Sequence, residues 1–478
     1  MRTDLFIGNE FAPAASGRRF AVINPATEEP LAEVAEAGEA DISRAVAAAR
    51  ACFESDSWQG LSPRKRGALL LKAADLLAAR LKEVAELETR QNGKPLFESK
   101  IDVAMTIETL RYYGGWADKI GGETLPVDGG FLTYTLTEPV GVVGAIVPWN
   151  FPLNLASWKV APALATGCTV VLKPAAETPL SALALAEIMH EAGFPAGAFN
   201  VVPGDGPVAG GSLVRHPGVD KIGFTGSTAV GKQVMKEAAD TVKRVTLELG
   251  GKSANIVFAD ADLAAAVRGA QNGIFYGKGE VCAAGSRLLV ERKVKDQVVE
   301  QLAQRAAKLT PGDPMAKETR LGAIVSRRQH ERVMGYIASG KREGASLVAG
   351  GAAATVNGRG YFIEATIFDG VKPDMSIARE EIFGPVLSVL PFDEPEEAVH
   401  LANQSVYGLA AGLWTRDIGK AHRVARAIRA GTVWINTYNN YDPAAPFGGY
   451  KQSGFGRDLG RHALDNYTET KTVWVSLA

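Results

Sequence analysis

A cysteine set among small residues, and a glutamate followed by two glycines 34 positions before it, are the residues of this chain whose types and spacing could carry covalent chemistry. Cys282 lies in Gly279-Glu280-Val281-Cys282-Ala283-Ala284-Gly285-Ser286-Arg287, and Glu248 opens Glu248-Leu249-Gly250-Gly251-Lys252. Small neighbours leave a thiol within reach of a ligand and keep its backbone N–H open. A thiolate can add to a carbonyl carbon, and a carboxylate can activate the water that later releases an acyl group. The histidines (His190, His216, His330, His400, His422, His462) are scattered, with none beside either segment and no zinc-ligand spacing. Neither a Cys–His hydrolase nor a metal site is expected.

These groups need a scaffold larger than one core. A chain of 478 residues implies two or three domains. Lys+Arg (52) and Asp+Glu (53) cancel to a net charge of −1, which leaves no concentrated basic footprint for nucleic acid. The start, Met1 to Glu10, is charged and does not read as a secretory signal. The apolar stretches Gly141–Val147 and Val160–Leu172 are too short or too interrupted to span a bilayer, so no membrane partner is expected. Three widely spaced cysteines (Cys52, Cys168, Cys282) form neither a disulfide framework nor a CxxC pair, which points to a reducing, cytoplasmic setting.

Two textures alternate along the chain. Gly141–Val147, Thr169–Leu172, Asn200–Val202 and Asn255–Phe258 read as buried strands; Ile42–Cys52, Pro63–Thr89, Leu180–Ala192 and Ala261–Phe275 read as amphipathic helices. A second set follows: strands at Leu288–Glu291, Ser346–Ala349 and Pro385–Leu390, and helices at Lys295–Leu309 and Glu394–Asn403. The alternation indicates βαβ units around mostly parallel sheets. Thr133–Leu136 and Thr470–Val475 alternate in strand fashion outside both sets. They either pair as an appendage that offers an edge to another subunit or close the sheet of their own domain.

Three segments could meet a nucleotide. Gly204-Asp205-Gly206-Pro207-Val208-Ala209 fits G-x-G-x-x-A, but Pro207 removes an N–H where phosphate needs donors, and such a segment is often only a turn. In Ile222 to Lys232 a short strand leads through Gly226 into a helix capped by Ser227 or Thr228, whose N–H groups and dipole suit a pyrophosphate; an ordinary capped junction reads the same. Val170-Val171-Leu172-Lys173-Pro174 delivers Lys173 to the end of a strand, where open α/β sheets bind ligands.

Seven separated motifs occur in order: Pro148-Trp149-Asn150-Phe151-Pro152, the Lys173 turn, Phe224-Thr225-Gly226-Ser227, the Glu248 segment, the Cys282 segment, Glu380-Glu381-Ile382-Phe383-Gly384-Pro385, and Pro446 to Gly454. Together they make the chain resemble, over almost its whole length, the NAD(P)-dependent aldehyde dehydrogenase superfamily. The resemblance implies an α/β fold with a Rossmann-like cofactor domain (1–120 and 140–250), an α/β catalytic domain (251–451) and a small β oligomerisation arm (121–139 and 467–478) in a homodimer or homotetramer. It implies oxidation of an aldehyde to the free acid, with NAD or NADP, through a thiohemiacetal and a thioester on Cys282. Glu248 is then the base, and Asn150 donates to the oxyanion with the Cys282 N–H. Lys159 assists the proton path. The cofactor would be lined by Ile146, Trp149, Lys173, Ala176, Glu177, Gly206, Phe224, Gly226, Ser227, Leu249, Glu381 and Phe383, with Glu381 at the nicotinamide ribose. Phe151, Trp158, Asn439, Tyr441 and Phe447 match positions that line the substrate tunnel. That aromatic set, with no matching Arg or Lys, favours a medium aliphatic or aromatic aldehyde over a carboxylated semialdehyde.

Two departures bear on mechanism. Glu280 stands where many relatives carry Gln. A carboxylate there would raise the thiol pKa, unless it points to solvent or Lys278 offsets it. Ala176 stands where NAD-preferring relatives place an acid, with Glu177 next, so acceptance of NADP is expected. A CoA-acylating dehydrogenase and a non-catalytic binding protein are the rival readings. Glu248 argues against the first, and the full set Asn150, Glu248, Cys282 and Glu381 against the second.

Overall fold

The structure is a computed structural model that describes residues 1–477. Two large sheets organise it. The first holds five parallel strands in the order Phe199–Val201, Thr169–Lys173, Val142–Ile146, Lys221–Thr225, Arg244–Glu248, flanked by antiparallel Leu5–Ile7 and Glu10–Ala12 at one edge and Gly454–Phe455 at the other. Strand alternation divides the sheet between two cores. Val143, Ala145 and Leu172 face one core beneath the helices Pro63–Ala79, Leu96–Trp116, Pro152–Thr166 and Leu180–Ala192; Val142, Ile146, Val171, Ile222, Phe224 and Leu247 face the other, against Glu39–Phe53. Such strands are buried on both sides and therefore read as unbroken β-branched runs.

The second sheet runs Ser346–Ala349, Thr366–Asp369, Val386–Phe392, Arg287–Glu291, Ala254–Val257, Ala410–Trp414, Thr432–Ile435, all parallel except the first. Its two faces pack on Leu263–Phe275 and Arg292–Ala306 on one side, and on Arg327–Arg342, Pro395–Asn403 and Ile418–Ala427 on the other.

Thr468–Ser476 pairs antiparallel with Phe131–Pro139 along nine residues, and Thr124–Leu125 adds a third strand. This sheet is separate from both large ones, so of the two arrangements open to these segments the appendage is the one formed. Pro63–Thr89 is not one helix but two, Pro63–Ala79 and Leu81–Asn92. The break falls at Arg80 (φ −108°, ψ 12°), whose guanidinium is drawn to the Glu191 carboxylate at 2.6 Å. The helix Leu96–Trp116 has no counterpart in the sequence reading, because Glu98, Ser99, Asp102, Thr106 and Thr109 are buried on it and blur the apolar stripe.

The loops that follow the central strands Val142–Ile146 and Lys221–Thr225 lead to helices on opposite faces of the first sheet. They part at the switch point, where a crevice opens at the carboxyl ends of the strands.

Candidate active site

The thiol sits on a strained approach. After the helix Leu263–Phe275, the chain turns through Gly277, Lys278 and Gly279, with φ of 58°, 61° and 74°. Two of these are glycines, which tolerate that region; Lys278 does not and must be held there. A Cβ on Gly279 would collide with the Gly384 carbonyl. Cys282 follows, partly exposed, ahead of the strand Arg287–Glu291. The two glycines after Glu248 close the site from the other side. A side chain on Gly250 would strike the Glu381 carboxylate, and one on Gly251 the Cys282 carbonyl. The spacing of Glu248-Leu249-Gly250-Gly251 thus reflects close approach of the two motifs.

Asn150, 4 % exposed, lies in the loop between Val142–Ile146 and Pro152–Thr166. Its Nδ2 donates to the Glu280 carbonyl at 2.9 Å, two residues before Cys282. One amide hydrogen is committed there, and the other is available to a ligand. Glu248 ends the strand Arg244–Glu248; it is buried, no side chain among the described residues hydrogen-bonds to its carboxylate, and the Gly449 N–H is the backbone group that acts on it. A Cβ on Gly448 would lie 2.7 Å from its Oε1, so that glycine makes room for the carboxylate.

Burial pushes the Cys282 thiol up to about 12, and the carboxylates of Glu381 and then Glu248 add to the rise. The N–H groups of Ala283 and Cys282 pull the other way. Glu280 is not among these influences, which corrects the expectation drawn from its place in the sequence. Its carboxylate turns away from the thiol, not into solvent but into the interior. It pairs with Lys278 Nζ at 2.8 Å and accepts from the Val325 N–H at 3.2 Å. Lys278 therefore offsets its charge. Burial also drives the Glu248 carboxyl well above the ordinary range, with Asp458 adding to the rise and Lys159 and Arg457 opposing it.

Lys159, on the helix Pro152–Thr166, donates to Asp458 Oδ2 at 2.8 Å, and both side chains are buried. Asp458 escaped the sequence reading because it is nearly 300 positions from Lys159 and no local pattern announces it. Beyond the pair lies Lys221, pushed down to about 7 by burial and then by Lys159, with its Nζ bonded to Thr246 Oγ1 at 2.9 Å.

The expected tunnel residues divide. Trp158, Tyr441 and Phe447 form one cluster, with ring centroids 5.5 Å apart for Trp158–Phe447 and Tyr441–Phe447 and 6.3 Å for Trp158–Tyr441. Cys282 and Tyr441 both pack against the core that holds Trp158 and Phe447. Phe151 stacks on Tyr276 at 6.5 Å. Asn439 adopts a left-handed φ of 59° and donates to the Asn272 carbonyl at 3.2 Å, which holds its own turn.

The residues expected to meet a dinucleotide are placed as follows. Lys173, 4 % exposed, is a buried ammonium that burial lowers to about 8, with Glu177 and Asp205 as its countercharges. Ala176 adds no charge beside it, while Glu177 Oε1 lies 3.5 Å from the Arg328 guanidinium. Ser227 caps Thr228–Ala238 by accepting from the Val230 N–H at 3.4 Å. Gly226 lies against the Phe224 ring, and its N–H donates to the Glu248 carbonyl. Leu249 and Ile146 are buried in the same core as Phe224. Gly206 is exposed, and the Asp205 carboxylate takes the Val208 and Ala209 N–H groups at 2.7 and 3.3 Å, so this segment caps itself. Glu381 accepts from the Gly251 N–H at 2.9 Å and is pushed up to about 7 by burial. Trp149 and Phe383 meet edge to face at 5.2 Å. Gln329 was missed; its Nε2 reaches the Phe383 carbonyl at 2.8 Å and so steadies the left-handed Phe383 (φ 61°). A capped helix start, a buried ammonium, a carboxylate and an aromatic pair along one crevice fit a nicotinamide dinucleotide.

Known proteins share this fold and much of this sequence. The chain resembles an aldehyde dehydrogenase from Bacillus cereus solved with NAD+, with a TM-score of 0.99 and 53 % identity, covering 100 % of this chain and 97 % of that one. An indole-3-acetaldehyde dehydrogenase solved with NAD+ matches at a TM-score of 0.98 and 49 % identity, covering 99 % of this chain and 96 % of the other. Aldehyde dehydrogenase 1A1 of Gallus gallus is 49 % identical over 479 residues, which is 99 % of this chain and 94 % of that protein. The model of the aldehyde dehydrogenase family matches residues 11–473. A family model that spans nearly the whole chain, and relatives about half identical to it over nearly all of its length, show that this chain belongs to the aldehyde dehydrogenase family, whose reaction is the NAD(P)-dependent oxidation of aldehydes to acids.

Proposed function

We propose that Cys282 is the nucleophile, Glu248 the deacylating base, Asn150 with the Cys282 N–H the oxyanion site, and Lys159 with Asp458 the proton path. The thiolate adds to the aldehyde carbon, a C–S bond forms, and the carbonyl electron pair moves to oxygen, where the Asn150 amide receives it. When bound, the oxidised nicotinamide supplies the acceptor for the hydride lost from that carbon. The thioester left on Cys282 is attacked by water whose proton Glu248 takes; the C–S bond breaks, and the free acid leaves. The observation that carries this reading is the Glu248 carboxylate, buried with no side-chain hydrogen-bond partner among the described residues and within electrostatic reach of the thiol. Such a group gains by taking a proton from a water held against it.

The same reading assigns 1–120 and 140–250 to cofactor binding, 251–451 to catalysis, and 121–139 with 467–478 to an oligomerisation arm of a homodimer or homotetramer. The three free cysteines suit a cytoplasmic enzyme. NADP is accepted alongside NAD, supported by the neutral Ala176 beside Lys173. The substrate is a medium aliphatic or aromatic aldehyde. The Trp158, Tyr441 and Phe447 cluster supports this, as does the likeness to an indole-3-acetaldehyde dehydrogenase.

The test follows reduced nicotinamide with NAD and NADP crossed against short aliphatic, long aliphatic, aromatic and carboxylated aldehydes, without CoA. Turnover that disappears in Cys282→Ala, and in Glu248→Gln gives one burst followed by a stalled acyl-enzyme, supports the assignment. Product formation only with CoA, or a normal steady state in Glu248→Gln, refutes it.

A further inference from the structure

Lys278 is an unusual residue to find before the nucleophile. It is a long cationic side chain in a left-handed backbone position, 1 % exposed, and its ammonium is met by three acceptors: Glu280 Oε2 at 2.8 Å, Asn92 Oδ1 at 2.8 Å and the Asn92 carbonyl at 3.0 Å. Two of its protons go to Asn92 in hydrogen bonds, and the Glu280 carboxylate adds the opposite charge. Asn92 also reaches the other half of the oxyanion site, because its Nδ2 donates to the Trp149 carbonyl at 2.8 Å. That carbonyl belongs to the peptide joining Trp149 to Asn150. The loop bearing Asn150 and the loop bearing Cys282 are therefore tied twice. One tie is direct, from Asn150 Nδ2 to the Glu280 carbonyl at 2.9 Å. The other is indirect, through Asn92 and Lys278. Below the turn, Glu98 accepts from the Gly277 N–H with both oxygens at 3.1 and 3.2 Å, which fixes the first of the three left-handed residues.

We infer that the buried Lys278–Asn92–Glu280 joint is a positioning device for the oxyanion site: it fixes the Glu280 carbonyl and the Trp149–Asn150 peptide against each other, so that the second Asn150 amide hydrogen and the Cys282 N–H converge on one point. Lys278 is a positioning residue and touches neither substrate nor cofactor. The inference rests on the proposed oxyanion role of Asn150. A simple ion pair that stabilises the fold would not need Asn92 to hold both loops. The joint costs burial of two charges and a strained backbone, and those costs are met at the one place where two donors from distant segments must meet.

The test uses the full-length enzyme and two reagents that both need the Cys282 thiolate. Acylation by p-nitrophenyl acetate passes through an oxyanion, and alkylation by iodoacetamide does not. Lys278→Met alone leaves Glu280 unpaired and risks misfolding, so it is run beside Lys278→Met/Glu280→Gln, which removes both charges, and beside the isosteric Glu280→Gln. In the Lys278→Met/Glu280→Gln enzyme, acylation falls roughly 10- to 100-fold, the range expected of a misplaced oxyanion donor, while alkylation stays within about twofold. Glu280→Gln gives a smaller loss with the same selectivity. In an Asn150→Ala background, both sets of changes add less than about twofold. Losses that multiply with Asn150→Ala, or alkylation that falls in step with acylation, overturn the inference and leave a structural ion pair. Unchanged acylation in Asn150→Ala itself overturns the oxyanion reading first and this inference with it.

Discussion

Lys159 and Asp458, 299 positions apart, form a buried ion pair at 2.8 Å that acts on the Glu248 carboxylate. The pair acts on Glu248 with opposite signs: Asp458 holds its proton on, and Lys159 helps release it. Glu248 works as a base only when ionised, and burial already raises its pKa well above the ordinary range. Where release of the acyl group limits kcat, the limb of the kcat–pH profile that rises with pH belongs to this group. Lys159→Met removes the favourable charge and shifts that limb to higher pH. Lys159→Met/Asp458→Asn removes both influences and returns the limb most of the way. Steady-state kcat between pH 6 and 10 checks both. A profile that stays in place in Lys159→Met would separate this pair from the base.

The thiol follows the same sign. Its pKa is raised, so the thiolate fraction is small at neutral pH and grows as the solution becomes alkaline. Alkylation of the cofactor-free enzyme by iodoacetamide is expected to climb steadily through pH 9. Glu381→Gln removes the nearest carboxylate influence and speeds alkylation at a fixed pH. Glu280→Gln leaves the pH dependence where it was, because Glu280 is paired with Lys278 and turned from the sulfur. A shift in the second variant and none in the first would reverse the assignment of these two carboxylates.

How far such residues could be read from the sequence depends on how local their partners are. The close approach of the Cys282 and Glu248 segments and the strand ends were legible, since each lies in a short run of small or β-branched residues that marks its own surroundings. Leu180–Ala192 and Ser346–Ala349 fall where periodicity places them. What was not legible is set by tertiary contact. Asp458 gains its meaning only from Lys159 and Glu248, and Gln329 only from the carbonyl of Phe383. The orientation of Glu280 depends on Asn92 and Val325, which lie far from it in the chain, so sequence proximity to Cys282 misjudged its effect. The helix Leu96–Trp116 was hidden by the same cause, because its buried acids and threonines break the 3.6-residue apolar pattern that would have revealed it.

Cofactor choice turns on one position. Ala176 adds no charge of its own near Lys173, whose countercharges are Glu177 and Asp205, and Glu177 also meets Arg328 at 3.5 Å. Ala176→Glu would put a carboxylate where a ribose 2′-phosphate has to lie. The expected result is a fall of about tenfold or more in kcat/KM for NADP, with that for NAD held or raised, since an acid there can accept from both ribose hydroxyls. Paired initial rates with the two cofactors at one aldehyde check it. Equal losses with both would mean that position 176 does not face the ribose.

The aromatic cluster makes a prediction about substrate size. Trp158 packs on Phe447 and Tyr441 and anchors its indole N–H on Asn154 Oδ1 at 3.0 Å. Trp158→Phe keeps a ring but removes that bond and part of the apolar surface. kcat/KM for an aromatic aldehyde should fall by roughly 10-fold, within the 10- to 200-fold that such pocket contacts give, while a two-carbon aldehyde changes by less than about threefold. A loss that is the same for both would point to damaged packing rather than a lining residue, and thermal unfolding of the variant distinguishes the two.

The last prediction concerns the three-stranded arm. Thr468–Ser476 lies at the edge of that sheet, and Phe131, Leu132, Leu136, Trp474, Val475 and Leu477 are all exposed on it. An edge strand with this much apolar surface invites pairing with another chain, and isolated proteins normally blunt such edges with charge or proline. Phe131 and Trp474 pack against each other at 5.6 Å and form a ridge that a second copy can cover. Leu132→Glu/Trp474→Glu places two charges on this surface without touching either large sheet. Sedimentation velocity should show a smaller assembly than the unaltered enzyme at the same concentration, with far-UV circular dichroism preserved. An assembly of unchanged mass in the double variant would move the subunit contact away from the arm, to another exposed apolar surface such as the helix that carries Val230 and Met235.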